Sequence, residues 1–197
     1  MRFFFPLCCL FFLITGCASS PKPTYYTLSA PPIPAAITSS NIRVMVGPVA
    51  LPDALDQPRL VVQTGGNEVK LHEYHRWAGS LKNDVGRVVG AKLALDLDIS
   101  NVWVFSQSTQ SHFDYQVLID VQSLDSRQDD SVLLDMLWTI RSKDPKKEPV
   151  MGRSLIREKI NGDSFEAIIA AQSKAFAWAS ADIAQAIRQA GSSNAAR

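Results

Sequence analysis

Beyond residue 17 this chain has no cysteine. Cys8, Cys9 and Cys17 are its three thiols, so whatever folds after them is held by packing and not by disulfides. Histidine is equally scarce, with His72, His75 and His112 as the full set. The motif H-E-x-x-H needs its two histidines four apart on a helix. His72 and His75 are three apart at a strand end, and a zinc ion would need a third ligand as well. There is no G-x-S-x-G, no phosphate-binding loop and no C-x-x-C, so the common signatures of hydrolases, nucleotide enzymes and redox proteins are missing. No internal repeat is visible. No apolar run reaches the ~20 residues of a membrane-spanning helix.

Charge of one sign is lacking too. The chain carries 20 Lys+Arg and 19 Asp+Glu. Arg2 is the only charge before Lys22, so without its first 16 residues the balance is 19 against 19. That argues against nucleic acid or a bare anionic membrane surface as the partner.

What is present starts with "MRFFFPLCCLFFLITGCASS". One positive charge precedes an apolar run, Phe3 to Ile14, broken only by Pro6. Its 12 residues fit the core of a secretory signal. Ile14-Thr15-Gly16-Cys17 then has the pattern of a bacterial lipobox. The thiol of Cys17 accepts diacylglycerol as a thioether, and the small residues before it admit a signal peptidase between Gly16 and Cys17. We therefore expect residues 1–16 to be a lipoprotein signal peptide and Cys17 to carry a diacylglycerol and an N-acyl lipid, with no other cofactor. One acyl chain binds a bilayer marginally and two or more hold it stably. Ala18 and Ser19 follow the cysteine, and the lack of an Asp there favours the periplasmic face of the outer membrane.

The rest of the chain divides by composition. Residues 17–40 are expected to be a tether with a short Tyr- and Thr-rich strand near 24–28 and a Pro-rich linker at Pro31, Pro32 and Pro34. Residues 41–190 are expected to form a single periplasmic domain, and 191–197 a frayed tail. Inside that domain, Ile42, Val44 and Val46 mark a strand. Leu60–Gln63 and Glu68–His72 mark a hairpin around "TGGN". From Trp77 to about Leu97 the period becomes helical, with Leu81, Val85, Val88, Val89 and Leu93 on one stripe. A strand follows at 101–106. Phe113, Tyr115, Val117, Ile119 and Val121 then alternate cleanly, and on the far side of the "SRQDD" turn Leu134, Met136, Trp138 and Ile140 are in phase in a segment that alternates less cleanly. After a "KDPKKEPV" turn and the strand "GRSLIREKI" comes the last helix. Asp163 or Ser164 is its expected N-cap, and Phe165, Ile168, Ile169, Gln172, Phe176, Ala179, Ile183 and Ile187 are its buried stripe. The expected class is mixed α/β, a helix-covered mixed sheet with mostly antiparallel strands and a long C-terminal helix.

The remaining candidates are surface features. Asp125, Asp129 and Asp130 lack the spacing of a calcium loop and read as a solvated hairpin tip. "KDPKK" at 143–147 reads as a solvated turn. Trp77, Trp103, Trp138 and Trp178 fall on apolar phases of their elements, which points to the core. Neighbouring strand residues face opposite ways, so only one of Tyr25 and Tyr26 can face a one-sided core. The other is a candidate partner contact.

Four pieces taken in order resemble one family. They are the lipobox closely followed by "YYTL", then "IRVMVGPVALP", "LDQPRLVV" and "EYHRWAGSL". Together they are similar to the Pqi-type auxiliary lipoproteins of ABC-like transport systems. The resemblance runs from about Tyr25 to the last helix and is strongest over residues 42–81. It implies a three-layer mixed sheet with helices packed on both faces. It also implies a periplasmic lipoprotein that works with a periplasm-spanning protein carrying MCE domains and with an integral inner-membrane partner. Such systems are thought to move lipids or other hydrophobic molecules between the two membranes and to support envelope integrity. No catalytic residue comes with it. Trp77 is then a structural plug where hairpin passes to helix, and Leu81 opens the helix's buried stripe.

Three functions remain open on these grounds. The first is a non-enzymatic transport accessory, expected to be a homo-oligomer. The second is a lipid-anchored periplasmic hydrolase, which the lack of a nucleophile, base and orienting group disfavours. The third is a passive structural lipoprotein of the envelope.

Overall fold

The computed structural model describes residues 21–32, 42–105 and 112–192. Eight strands and two helices follow one another in the order β1 (Thr24–Tyr26), β2 (Val44–Ala50), β3 (Arg59–Gly65), β4 (Glu68–Trp77), α1 (Leu81–Leu97), β5 (Val102–Val104), β6 (Tyr115–Ser126), β7 (Ser131–Ser142), β8 (Val150–Lys159) and α2 (Phe165–Ser192). The class is mixed α/β. The strands form two sheets, one of five strands in the order β5-β2-β6-β7-β8 and one of three in the order β1-β4-β3.

The large sheet is built where alternation is cleanest. Tyr115, Val117, Ile119 and Val121 are buried and alternate with exposed or half-buried neighbours. A register shift between Val121 and Ser123 then moves the buried set to Leu124 and Ser126, as a bulge does by adding one residue to one strand. β7 pairs antiparallel with both neighbours, whereas β2 pairs parallel with β5 and β6. After the β3–β4 hairpin, α1 carries the chain back to β5, the crossover that its parallel pairing with β2 needs.

Both helices lie on the same face of this sheet. A Cβ on Gly86 would stand 2.9 Å from Val104 Cγ1, and one on Gly90 would stand 3.8 Å from Val46 Cγ2. α1 therefore seats on β5 and β2. On the same face, Trp138 donates its indole N–H to Ser154 Oγ at 3.1 Å, and Ser154 donates to Asp182 of α2 at 2.6 Å. The two helices also pack on each other. The core fills the space between: Val44, Val46, Val85, Val88, Leu93, Val117, Met136, Ile140, Phe176 and Ile183 are almost wholly buried. Among the described residues no helix covers the opposite face.

One helix start differs from the sequence expectation and the other matches it. The helical period was read from Trp77, yet α1 begins at Leu81, because β4 continues to Trp77 and Ser80 takes the extended N-cap conformation. The last helix begins as its cap predicts: the N–H of Ala167 donates to Ser164 Oγ at 3.2 Å.

Candidate functional site

The stretch "HEYHRW" is where the small sheet meets the helices. β3 and β4 run antiparallel, but Arg59 pairs with Arg76 while Leu60 pairs with His72. The extra residues between bulge out and change the phase of β4. His72 and His75 thus both turn inward although they are three apart, and Trp77 follows two positions later in the same phase. Both imidazoles reach Phe165, the first residue of α2. The His75 ring stacks on it at 3.7 Å between centroids, and the His72 ring meets it edge-on at 4.7 Å. The Tyr26 hydroxyl is 2.9 Å from His75 Nδ1.

This is a joint between β1, β4 and α2. Burial lowers the His72 pKa, with smaller contributions from Lys70 and His75, so the neutral imidazole is favoured. Burial raises the Tyr26 pKa, helped by Glu166, so its hydroxyl stays protonated. Among the described residues no three His, Cys, Asp or Glu side chains converge to hold a metal. Trp77 is 6% exposed and Leu81 4%. The N–H of Trp77 donates to Pro58 O and that of Ala78 to Tyr26 O, each at 2.7 Å. Backbone bonds thus fix the corner around the indole.

The segment just after β1 is clamped to both helices. Asp84 accepts from Thr27 Oγ1 at 2.9 Å and from the N–H of Leu28 at 3.2 Å. Arg87 donates to Thr27 Oγ1, to Leu28 O and to Asp84. The N–H of Ser29 donates to Ser173 Oγ of α2 at 2.9 Å. Tyr26 is buried, and Tyr25 beside it is 58% exposed on β1, an edge strand. Gly16 and Cys17 lie outside the described residues.

Surface grooves are poor in chemistry. One of about 580 Å³ is lined by Ile42, Asp114, Tyr115, Ser142 and Lys143. Its Asp114 carboxylate takes three bonds from Arg43, at 2.9, 3.2 and 3.1 Å, and that hydrogen bonding holds its pKa below the usual carboxylate range. A base held that way stays ionised and occupied. A second groove, about 310 Å³, lies on the helix-free face among Pro48, Val49, Leu118, Leu137 and Thr139, with Asp120 its only titratable group.

The charged turns are ordinary. Asp130 lies 3.5 Å from Arg157, Asp129 takes a left-handed φ of 61° at the hairpin tip, and Asp144 caps the Lys143–Lys147 turn through the N–H of Lys146. One expectation fails plainly. Trp178 was placed in the core, yet it is 58% exposed. It lies one turn from both Lys174 and Asp182, whose side chains reach β8, so it sits at the rim of the helix and not on its inner stripe. Sequence reasoning also missed the Asp84–Arg87 clamp. Its only sequence signal is an i,i+3 acid–base pair, which many exposed helices share.

A family model described as "ABC-type transport auxiliary lipoprotein component" matches residues 26–184. Two crystal structures share the fold. One, described as that of an uncharacterized protein, has a TM-score of 0.67 at 20% identity, over 85% of this chain and 99% of that one. The other, protein XCC0632 from Xanthomonas campestris, has a TM-score of 0.64 at 16% identity, over 88% of this chain and 100% of that one. No curated protein sequence matches the chain.

Proposed function

Because this chain belongs to the family of ABC-type transport auxiliary lipoprotein components, we propose that it is a non-enzymatic accessory subunit of an MCE-type system moving lipids or other hydrophobic molecules between the inner and outer membranes. The family match over residues 26–184 carries this reading. It works from the periplasmic face of the outer membrane, held by lipid on Cys17. Its partners are a periplasm-spanning MCE-domain protein, an integral inner-membrane protein and further copies of itself.

The clamp after β1 supports a positional task. Thr24 lies only seven positions after Cys17, and an extended chain spans at most ~3.5 Å per residue. A lipid on Cys17 would thus hold the folded body within about 25 Å of its bilayer. Tyr25 would lie at the near side of that body, where its exposed ring can meet a neighbour.

The test is co-purification from solubilised envelopes. A tagged chain should bring down an MCE-domain protein, and Tyr25→Ala should weaken the capture while leaving the melting temperature alone. A chain that never captures an MCE-domain protein under conditions that preserve its own fold would sink the transport reading.

A further inference from the structure

β8 is an edge of the large sheet. Natural edge strands are kept from pairing by being short, by proline, by bulges, or by charges that point inward or line the edge. β8 carries its charges, Arg157, Glu158 and Lys159, at one end, with Arg153 alone in the middle. β8 has 10 residues, "VMGRSLIREK", with no proline. Its register with β7 runs from Ser131↔Lys159 to Ile140↔Val150 without a shift. No described strand pairs with its outer side. Met151 is 77% exposed and Leu155 68%. Both lie on the helix-free face, opposite in phase to Ser154. On the helix side stands Trp178, between the two α2 side chains that reach β8.

We propose that β8 pairs antiparallel with β8 of a second copy about a two-fold axis through Arg153, joining the two five-stranded sheets into one. The pattern of the strand selects both the occupant and the register. Centred on Arg153, the pairing sets Met151 opposite Leu155 of the second copy twice, and Val150 opposite its Ile156 twice. Apolar side chains directly opposite each other are the unit of sheet stabilisation. Centring on Ser154 instead sets Met151 opposite Arg157 and Leu155 opposite Arg153. Centring on Leu155 sets Arg153 opposite Arg157. The favoured register has one like-charge pair, Arg153 with itself. Each copy already neutralises that guanidinium with Asp135, through Nε at 2.8 Å and Nη2 at 2.5 Å. Gly152 and Ser154 meet on the helix side, where neither side chain obstructs the approach. A self-matched patch is what an isologous interface requires.

This inference rests on the self-association proposed above but not on any transport role. Directly opposed residues of an antiparallel pair have Cα atoms roughly 4.5–5.5 Å apart, within disulfide reach. Positions displaced by four residues are about 13 Å apart and cannot be bridged. Single and paired cysteines are therefore introduced into the full chain, and intact envelopes are oxidised. Arg153→Cys should give a disulfide-linked dimer of this chain above the level of the unaltered protein. Met151→Cys and Leu155→Cys should each give none alone and a dimer when combined in one chain. An Arg153→Cys chain that stays single, or one that links to a different protein, overturns the proposal, as does a dimer from Met151→Cys alone. Leu155→Lys should lower the mass of the solubilised assembly with no change in circular dichroism. If Arg153→Cys fails while the chain still runs as an oligomer, this interface is wrong and self-association stands. If the chain is a monomer throughout, both are wrong.

Discussion

The imidazole of His75 lies flat on the ring of Phe165, with centroids 3.7 Å apart and 22° between the planes. One residue lies two positions before the end of β4 and the other starts the long helix. With the Tyr26 hydroxyl 2.9 Å from the same imidazole, this stack ties α2 to β1 and β4, which already share a parallel ladder. Phe165→Ala removes the surface on which both histidines rest. It should destabilise the protein by about 1–3 kcal/mol, measured by urea unfolding. Because the large sheet does not depend on that ring, β6 and β7 amides should keep their protection from hydrogen exchange while those of β3 and β4 lose theirs. Uniform loss across both sheets would show that the joint is not a separate cooperative unit.

The same joint should respond to acid. Burial lowers the His72 pKa below its ordinary value of 6.5. Below pH 6.5 the unfolded chain thus binds a proton more readily than the folded one. Stability from neutral His72 is complete above that value and falls as pH drops through it towards the folded pKa. The melting temperature should therefore decline between about pH 7 and 5, well before Asp114 and Asp135 protonate, since hydrogen bonds from Arg43 and Arg153 hold those two carboxylates below their usual range. His72→Gln should flatten the decline. An unchanged slope in that variant would assign the acid sensitivity to other groups.

Much of the large sheet could be read from the sequence because its strands alternate over many residues. Tyr115 to Val121 and Leu134 to Ile140 show a buried face directly, and the buried stripe of α2 follows from its 3.6 period. β4 could not be read to its end. The bulge between His72 and Arg76 breaks the period of two, so the pattern seems to stop where the strand continues. β1 pairs parallel with residues 75–77 across some fifty positions, and no local rule encodes such a partner. Trp178 misled for the opposite reason. Its phase is close to that of the buried stripe, but α2 lies at the sheet's rim there, and one step round the helix turns an inward residue outward. The clamp of Asp84 and Arg87 on Thr27 and Leu28 was invisible, because 56 to 60 residues separate its halves.

Two glycines should answer alanine substitution with opposite signs. A Cβ on Gly152 would fall 2.1 Å from Trp138 Cζ2. The indole cannot yield easily, because its N–H is held by Ser154. Gly152→Ala should thus cost roughly 1–3 kcal/mol by overpacking. Gly90 lies inside α1, where a Cβ would make contacts of 3.6 and 3.8 Å, ordinary van der Waals distances. There alanine removes backbone entropy without a clash, and Gly90→Ala should stabilise by about 0.5–1 kcal/mol. Chemical denaturation of the two variants side by side decides it. A destabilised Gly90→Ala protein would mean that α1 approaches β2 and β5 more closely than these distances indicate.

On the proposed reading Cys17 holds the folded body to its membrane. No described helix is long and apolar enough to cross a bilayer, and the charge after residue 16 is balanced. Attachment is therefore expected to depend on one thiol. Cys17→Ala should block lipid transfer and cleavage after Gly16, leaving a precursor longer by 16 residues or a soluble product. Either differs from the wild type in metabolic labelling with radioactive palmitate, which should mark the parent chain and not the variant. The fold should survive, since Thr27 and Leu28 are clamped by Asp84 and Arg87 and not by the tether. The melting temperature of the released protein should match that of the detergent-solubilised parent. If Cys17→Ala still sediments with membranes after high-salt and carbonate washes, and still takes up label, the anchor lies elsewhere.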